Sequence, residues 1–379
     1  MPNQKGTKVV IRQDSIVTNM NKYTYLETQK KHVPTMNKFS NKVALFVINV
    51  LIFSLLAEFE SKAQPIPPAD SNIPFLVTFG KDASQKYGDD DFSQVFFLSI
   101  PANETDPFYI RVFDPDVGGK YDEIYGGIDT KCKFSIYGGK GAWSDPDAQL
   151  TDPTGNYKAG TLLDSRTFSE SEKYDNSWYS FGPLDPKEGE FIEEFNGYVF
   201  KIVAEGISGD DGNLYSYFFS RGPNVNISIE GANAFGYEWT FRMPAERNAV
   251  CHLYPYITDD VVSIQQFNFD WDDDGIIKIV SYEKKGEWVE MSNEANWKSS
   301  THQILETERN SSLDIQFIKT REKAKENNNI CFSFKNQFGE FMRFYTIPIG
   351  GVQRFKYSLG VLDNAREGER YKKDKVFVK

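Results

Sequence analysis

The chain has 379 residues, with 54 Asp/Glu against 43 Lys/Arg and a formal net charge of −11. That balance lacks the basic footprint nucleic acid requires and disfavours anionic membranes. Length alone predicts about two domains. The 31 Phe, 20 Tyr and 6 Trp favour half-buried pleated surfaces over helices, so the expected class is all-β.

In chain order, residues 1–35 are polar and read as a leader or a mis-assigned start, because Met36 opens MNKFSNK just ahead of an apolar run. Lys38 and Lys42 precede VALFVINVLIFSLLA (43–57), and Ser61 and Ala63 then have the small-x-small spacing of a cleavage site. Residues 36–63 are expected to be a secretory signal peptide, since the run falls short of the roughly 20 apolar residues a spanning helix needs. The expected localisation is secreted, periplasmic or cell surface, with no transmembrane span after processing. Residues 64–74, with PIPPADSNIP, read as a Pro-rich linker.

Short apolar runs between turn signals then predict strands: FLVTF (75–79), VFFLSI (95–100), FYIRVF (108–113), KFSIY (133–137), WYSF (178–181), YVFKIVA (198–204), LYSYFF (214–219) and YEWTF (237–241). Asp-Pro pairs punctuate them. The interval from Gly138 to Asn176 reads as a long surface loop. Residues 75–243 are expected to form a first, jelly-roll-like β-sandwich, with MPAERN (243–248) as the domain boundary. Five further runs predict a second, immunoglobulin-like sandwich over 249–353, followed by a charged tail over 354–379.

Cys132, Cys251 and Cys331 are odd in number and widely spaced, which fits buried free thiols better than a disulfide framework. His252 lies in an apolar run and is expected in the core, whereas His302 is expected at the surface. The chain contains no G-x-S-x-G, H-E-x-x-H, P-loop or dinucleotide-binding fingerprint.

Acidic loops are the candidate sites. FDPDVGGKYDE places Asp114, Asp116 and Asp122 around a double glycine, and GISGDDGNLY adds Asp210, Asp211 and Asn213. These oxygen donors suit calcium, with a solvated acidic turn as the alternative. Pairing of FYIRVF with YVFKIVA would bring both loops to one end of the sandwich. FDWDDDGIIKI carries Asp270, Asp272 and Asp274 in the order that begins an EF-hand loop, but position 12 is Ser281 instead of Glu, so a hairpin tip at residues 273–275 is expected. Trp143 and Tyr157, in the long loop, are candidate sugar-stacking residues.

The span from about Phe92 to Ser220, with GDDDF, FYIRVFDPDVGGKYD and YVFKIVAEGISGDDGNLYSYF, resembles the calcium-associated sandwich modules of secreted bacterial proteins, the pre-peptidase C-terminal type among them. That resemblance implies a non-catalytic role in binding, folding or secretion. The expectation is a secreted or cell-surface binding or adhesion protein with a calcium-stabilised sandwich, its partner an extracellular polysaccharide or a cell-surface protein. The alternative is an extracellular carbohydrate-active hydrolase or lyase using paired carboxylates.

Overall fold

The computed structural model describes residues 65–149, 157–272, 274–321 and 327–353. The expected leader, signal peptide and charged tail lie outside them. Among the described residues the regular elements are β-strands and three-residue 3-10 turns, and no helix is long and apolar enough to cross a membrane.

Eight strands carry the acidic loops: β1 (Phe75–Phe79), β2 (Ser93–Pro101), β3 (Phe108–Phe113), β4 (Lys131–Gly138), β5 (Thr161–Phe168), β6 (Trp178–Leu184), β7 (Gly197–Ser208) and β8 (Gly212–Ser220). One sheet contains the order β1-β8-β3-β6 and the other β2-β7-β4-β5, all antiparallel. Their inner faces interdigitate edge to face: Phe96 on Tyr217, Phe108 on Phe200 and Phe134 on Tyr215, at centroid distances of 5.9, 5.0 and 4.9 Å. The run VFFL in β2 is apolar on both faces for a reason. Phe96 and Leu98 face the core between the sheets, while Val95 and Phe97 belong to a second cluster with Phe235 and Tyr237.

Both sheets continue past residue 232. Glu238–Arg242 pairs with β1 on one side and with Asn329–Asn336 on the other, and Ser263–Phe269 and Trp297–Gln303 extend the same sheet further. Asn233–Gly236 and Phe344–Tyr345 extend the opposite one. A four-stranded sheet, Val250–Leu253, Asp314–Lys319, Gly275–Val280 and Lys285–Trp288, packs Phe317 against Phe241 and Phe332. The expected division at 243–249 therefore falls inside a shared sheet: Phe241 lies opposite Leu76 and also opposite Ile330, so strands from both sides of the boundary hydrogen-bond to one another.

Two further expectations are corrected. The interval 138–176 contains β5, whose only buried residue is Phe168; it is an edge strand with a polar surface, and so has no apolar run to announce it. The Pro-rich segment packs instead of linking: Pro65 and Ile66 pair with Phe218 and Tyr217, and Ile66 and Ile73 are in the core.

The strand order gathers four connections, residues 80–92, 114–130, 169–177 and 209–211, at one end of the sandwich. They hold fourteen Asp or Glu against four Lys, so this end carries an excess of negative charge close to that of the whole chain.

Candidate metal centre

The two acidic loops do meet at this end, though not by the expected pairing. β3 hydrogen-bonds to β8 and β6, while β7 (YVFKIVA) lies in the opposite sheet. Asp114 follows β3 directly and turns the chain with a φ of 57°, a conformation Asp tolerates better than most residues. From there the loop is laced to its neighbours. Asp114 Oδ1 accepts the Asn176 amide and Asp116 Oδ2 the Tyr174 amide, each at 2.8 Å. Asp122 accepts the Gly118 amide at 2.8 Å and the Leu214 amide at 2.7 Å, and Asn213 Nδ2 donates to the Pro115 carbonyl at 2.9 Å. Gly119, with φ 72°, lies so close to Asp175 that a Cβ there would come within 2.8 Å of its carboxylate. The double glycine thus lets the loop close on an acidic residue from a third connection.

Three acceptor oxygens here have no hydrogen-bond donor: Asp114 Oδ2, Asn213 Oδ1 and Asp175 Oδ1, all shielded from solvent. Asp114 is 1% exposed and Asn213 0%. A buried acceptor without a donor costs about 1–3 kcal/mol. Burial, and then the charges of Asp175 and Asp116, push the Asp114 carboxyl up to about 6. Burial likewise pushes Asp122 well above the usual carboxylate range, with the Asp114 and Asp175 charges adding to it. Oxygen donors of this kind suit a hard cation such as calcium, although among the described residues the all-carboxylate trios whose oxygens lie within 4.8 Å of one another are Asp89, Asp90 and Asp91, and Asp129, Asp210 and Asp211, so Asp114, Asp122 and Asp175 do not close on one point as they stand.

The six residues expected from the sequence divide between two places. Asp114, Asp116, Asp122 and Asn213 lie together with Asp175, which sequence reasoning missed. Asp211 instead spends its carboxylate on the Tyr125 and Asp129 amides, at 2.9 and 3.1 Å, and groups with Asp210 and Asp129. Its role is to hold residues 125–130 against the start of β8, an arrangement completed by the Asp211 amide donating to Thr130 Oγ1.

Trp143 and Tyr157 do not form an open platform. Trp143 packs edge-on against Phe195 and donates from Nε1 to the Tyr237 hydroxyl at 3.0 Å. Its loop is folded down by Glu190, whose carboxylate accepts the Gly141, Trp143 and Ser144 amides. The Tyr157 hydroxyl donates to Glu205, which also holds Lys158. The expected hairpin tip at 273–275 is corrected too: Phe269 ends a strand of the large sheet and Gly275 begins one of the four-stranded sheet, so buried Asp270, Asp272 and Asp274 link two sheets. His302 is buried and bonded to Glu287 and Ser300, whereas His252 is half-buried. The three cysteines are buried and free. At the opposite end, Arg221 bridges Glu104 and Asp106.

A pH dependence follows from Asp89, in the GDDDF tract. Its carboxylate is fully buried and accepts the Phe79 and Phe92 amides, and burial pushes it up to about 7. The folded chain holds this proton more tightly than the unfolded chain does. Its contribution is therefore complete below about pH 4 and is lost as pH rises to about 7. Urea unfolding midpoints of wild type and Asp89→Asn across that range are expected to diverge, with wild type showing the steeper loss; parallel curves would contradict the assignment.

No family model matches the chain, and no curated protein matches it. Among solved structures, the cryo-EM structure of T=3 Penaeus vannamei nodavirus aligns over 89% of this chain and 98% of that chain at 11% identity, with a TM-score of 0.15. A likeness at that score carries no argument about fold or function. The resemblance to pre-peptidase C-terminal modules gains no support from these comparisons and rests on the quoted residues.

Proposed function

We propose that the chain is a secreted or cell-surface, non-catalytic binding protein whose acidic loops are held by calcium at Asp114, Asp122, Asp175 and Asn213, with Asp116 supporting the same loops. The observation that supports this reading is three buried, donorless oxygens at one end of the sandwich, two from connections (Asp114, Asp175) and one from the start of β8 (Asn213). The order β1-β8-β3-β6 over β2-β7-β4-β5 is that of a jelly roll, an architecture shared by lectins, capsid proteins and cupins, so the site and not the fold must supply the function. The ion would supply positive charge where the carboxylates repel one another. The chain's own residues hold the loops through backbone amides and exclude water. The partner in this reading is an extracellular polysaccharide or a cell-surface protein.

Calorimetric titration of calcium into chelator-treated protein tests it. Wild type is expected to take up the ion, and Asp114→Asn, which keeps the shape and the Asn176 hydrogen bond but loses the charge, to bind at least tenfold more weakly. No uptake by wild type would end the calcium reading.

A further inference from the structure

Lys319, at the end of the strand Asp314–Lys319 in the four-stranded sheet, is 1% exposed. Lysines are almost never buried this deeply unless paired. Its Nζ is bonded to Asn328 Oδ1, nine positions on and directly before the strand Asn329–Asn336 of the large sheet. Both residues are held by the segment that runs between the two sheets. The Lys319 amide donates to the Ala249 carbonyl at 3.0 Å, its carbonyl accepts the Asn248 amide at 2.9 Å, and the Asn328 carbonyl accepts the Met243 amide at 2.7 Å.

Asn328 is the middle of three successive asparagines, and its neighbours are engaged elsewhere. Asn327 donates to the Lys86 carbonyl and to Asp270 and accepts the Asn329 amide; Asn329 donates to the Tyr87 carbonyl and Glu123 and accepts from Arg242. Gly275 is paired with Lys319, which sets Asp274 beside it, and the Asp274 charge acts on the ammonium. Asp274, Lys319 and Asn328 line one small cavity, with room for about one water. Asp270 lines it too, but its carboxylate holds the Ala295 and Asn327 amides. Burial pushes Lys319 below the usual ammonium range, toward the neutral amine that is the nucleophile.

We infer that Lys319 and Asn328 join in an intramolecular amide bond that ties the four-stranded sheet to the large one. Asp274 takes one proton from the ammonium, which frees the Nζ lone pair to bond Asn328 Cγ. A second proton passes from Nζ to Nδ2, the Cγ–Nδ2 bond breaks, and the nitrogen leaves with the Asp274 proton as ammonium. Nothing is oxidised or reduced, and no co-reactant is needed. The fixed approach of amine to amide supplies the proximity that such a step requires. The loop closed is short, so the gain in equilibrium stability is modest; the bond acts by keeping two strand ends from separating. This inference goes beyond the binding-protein reading and depends neither on it nor on the cation.

Tryptic digestion of the denatured full chain, read by tandem mass spectrometry, tests it. Wild type is expected to yield a branched product: the peptide ending at Arg321, uncut at Lys319, joined to the peptide beginning at Glu326 and lighter by one ammonia than their sum. A cyclised asparagine also loses ammonia but joins no two peptides. Lys319→Arg and Asn328→Ala should yield no branched product. Asp274→Asn should leave the two residues unjoined in a chain whose melting curve shows that it is folded, and a joined product from it would overturn the part given to Asp274. Cleavage of wild type after Lys319, with an unmodified Asn328 peptide, would overturn the bond whatever the variants do.

Discussion

Asp122→Ala is expected to lower the stability of the chain by about 2–6 kcal/mol, because the Gly118 and Leu214 amides lose their shared acceptor and an unsatisfied buried amide costs about 1–3 kcal/mol. The loss should exceed that of an ordinary surface aspartate, since this carboxylate joins the double-glycine turn to the first residues of β8. Two protein amides remain affected whether or not a cation is bound, so part of the loss should persist in chelator. The part that disappears in chelator measures what Asp122 contributes through the ion. Urea unfolding of wild type and variant, with calcium and with chelator, separates the two. A variant as stable as wild type in both conditions would mean that water reaches these amides and that the loop is not packed as described.

Gly206→Ala is expected to cost about 1–3 kcal/mol or more, by forcing apart two sheets that touch through backbone. Gly206 sits in β7 and donates its amide to the Phe92 carbonyl. A Cβ at this position would overlap the carbonyl oxygen of Phe79 in β1, in the opposite sheet. A side chain could swing aside, but a backbone carbonyl at the end of a paired strand cannot. Gly127→Ala is the matched control: it lies in one of the same end's connections and a Cβ there meets nothing within 4 Å. Thermal melts should show a clear loss for Gly206→Ala and almost none for Gly127→Ala. Equal melting of both would contradict the close approach of β1 and β7.

These predictions rest on features that differ in how far the sequence revealed them. Strands such as FYIRVF and LYSYFF were legible because both faces are buried and the apolar run is continuous. β5 was not, because an edge strand with a polar surface leaves no hydrophobic period. The shared sheet could not be read either: Glu238–Arg242 pairs with strands far away on both sides, and a local pattern does not name its partner. Asp114, Asp116, Asp122 and Asn213 were visible as an acidic, glycine-containing pattern. Asp175 was hidden by distance along the chain, and its signal, an Asp-Asn-Ser turn just before WYSF, has meaning only once β3 and β6 are paired. Trp143 was misread because its exposure depended on a loop that Glu190 folds onto the sheet.

The central claim is that a cation completes the buried acidic cluster around Asp114, and a melting experiment on wild type and Asp114→Asn in calcium and in chelator tests it most directly. Wild type is expected to gain about 2.7 kcal/mol when calcium is a hundredfold above its dissociation constant, with a matching rise in Tm. Asp114→Asn should show little calcium dependence, and in chelator it should melt close to wild type or above it, because the charge it removes is then an unpaired burden. A wild-type Tm that is the same in calcium and in chelator would contradict the account.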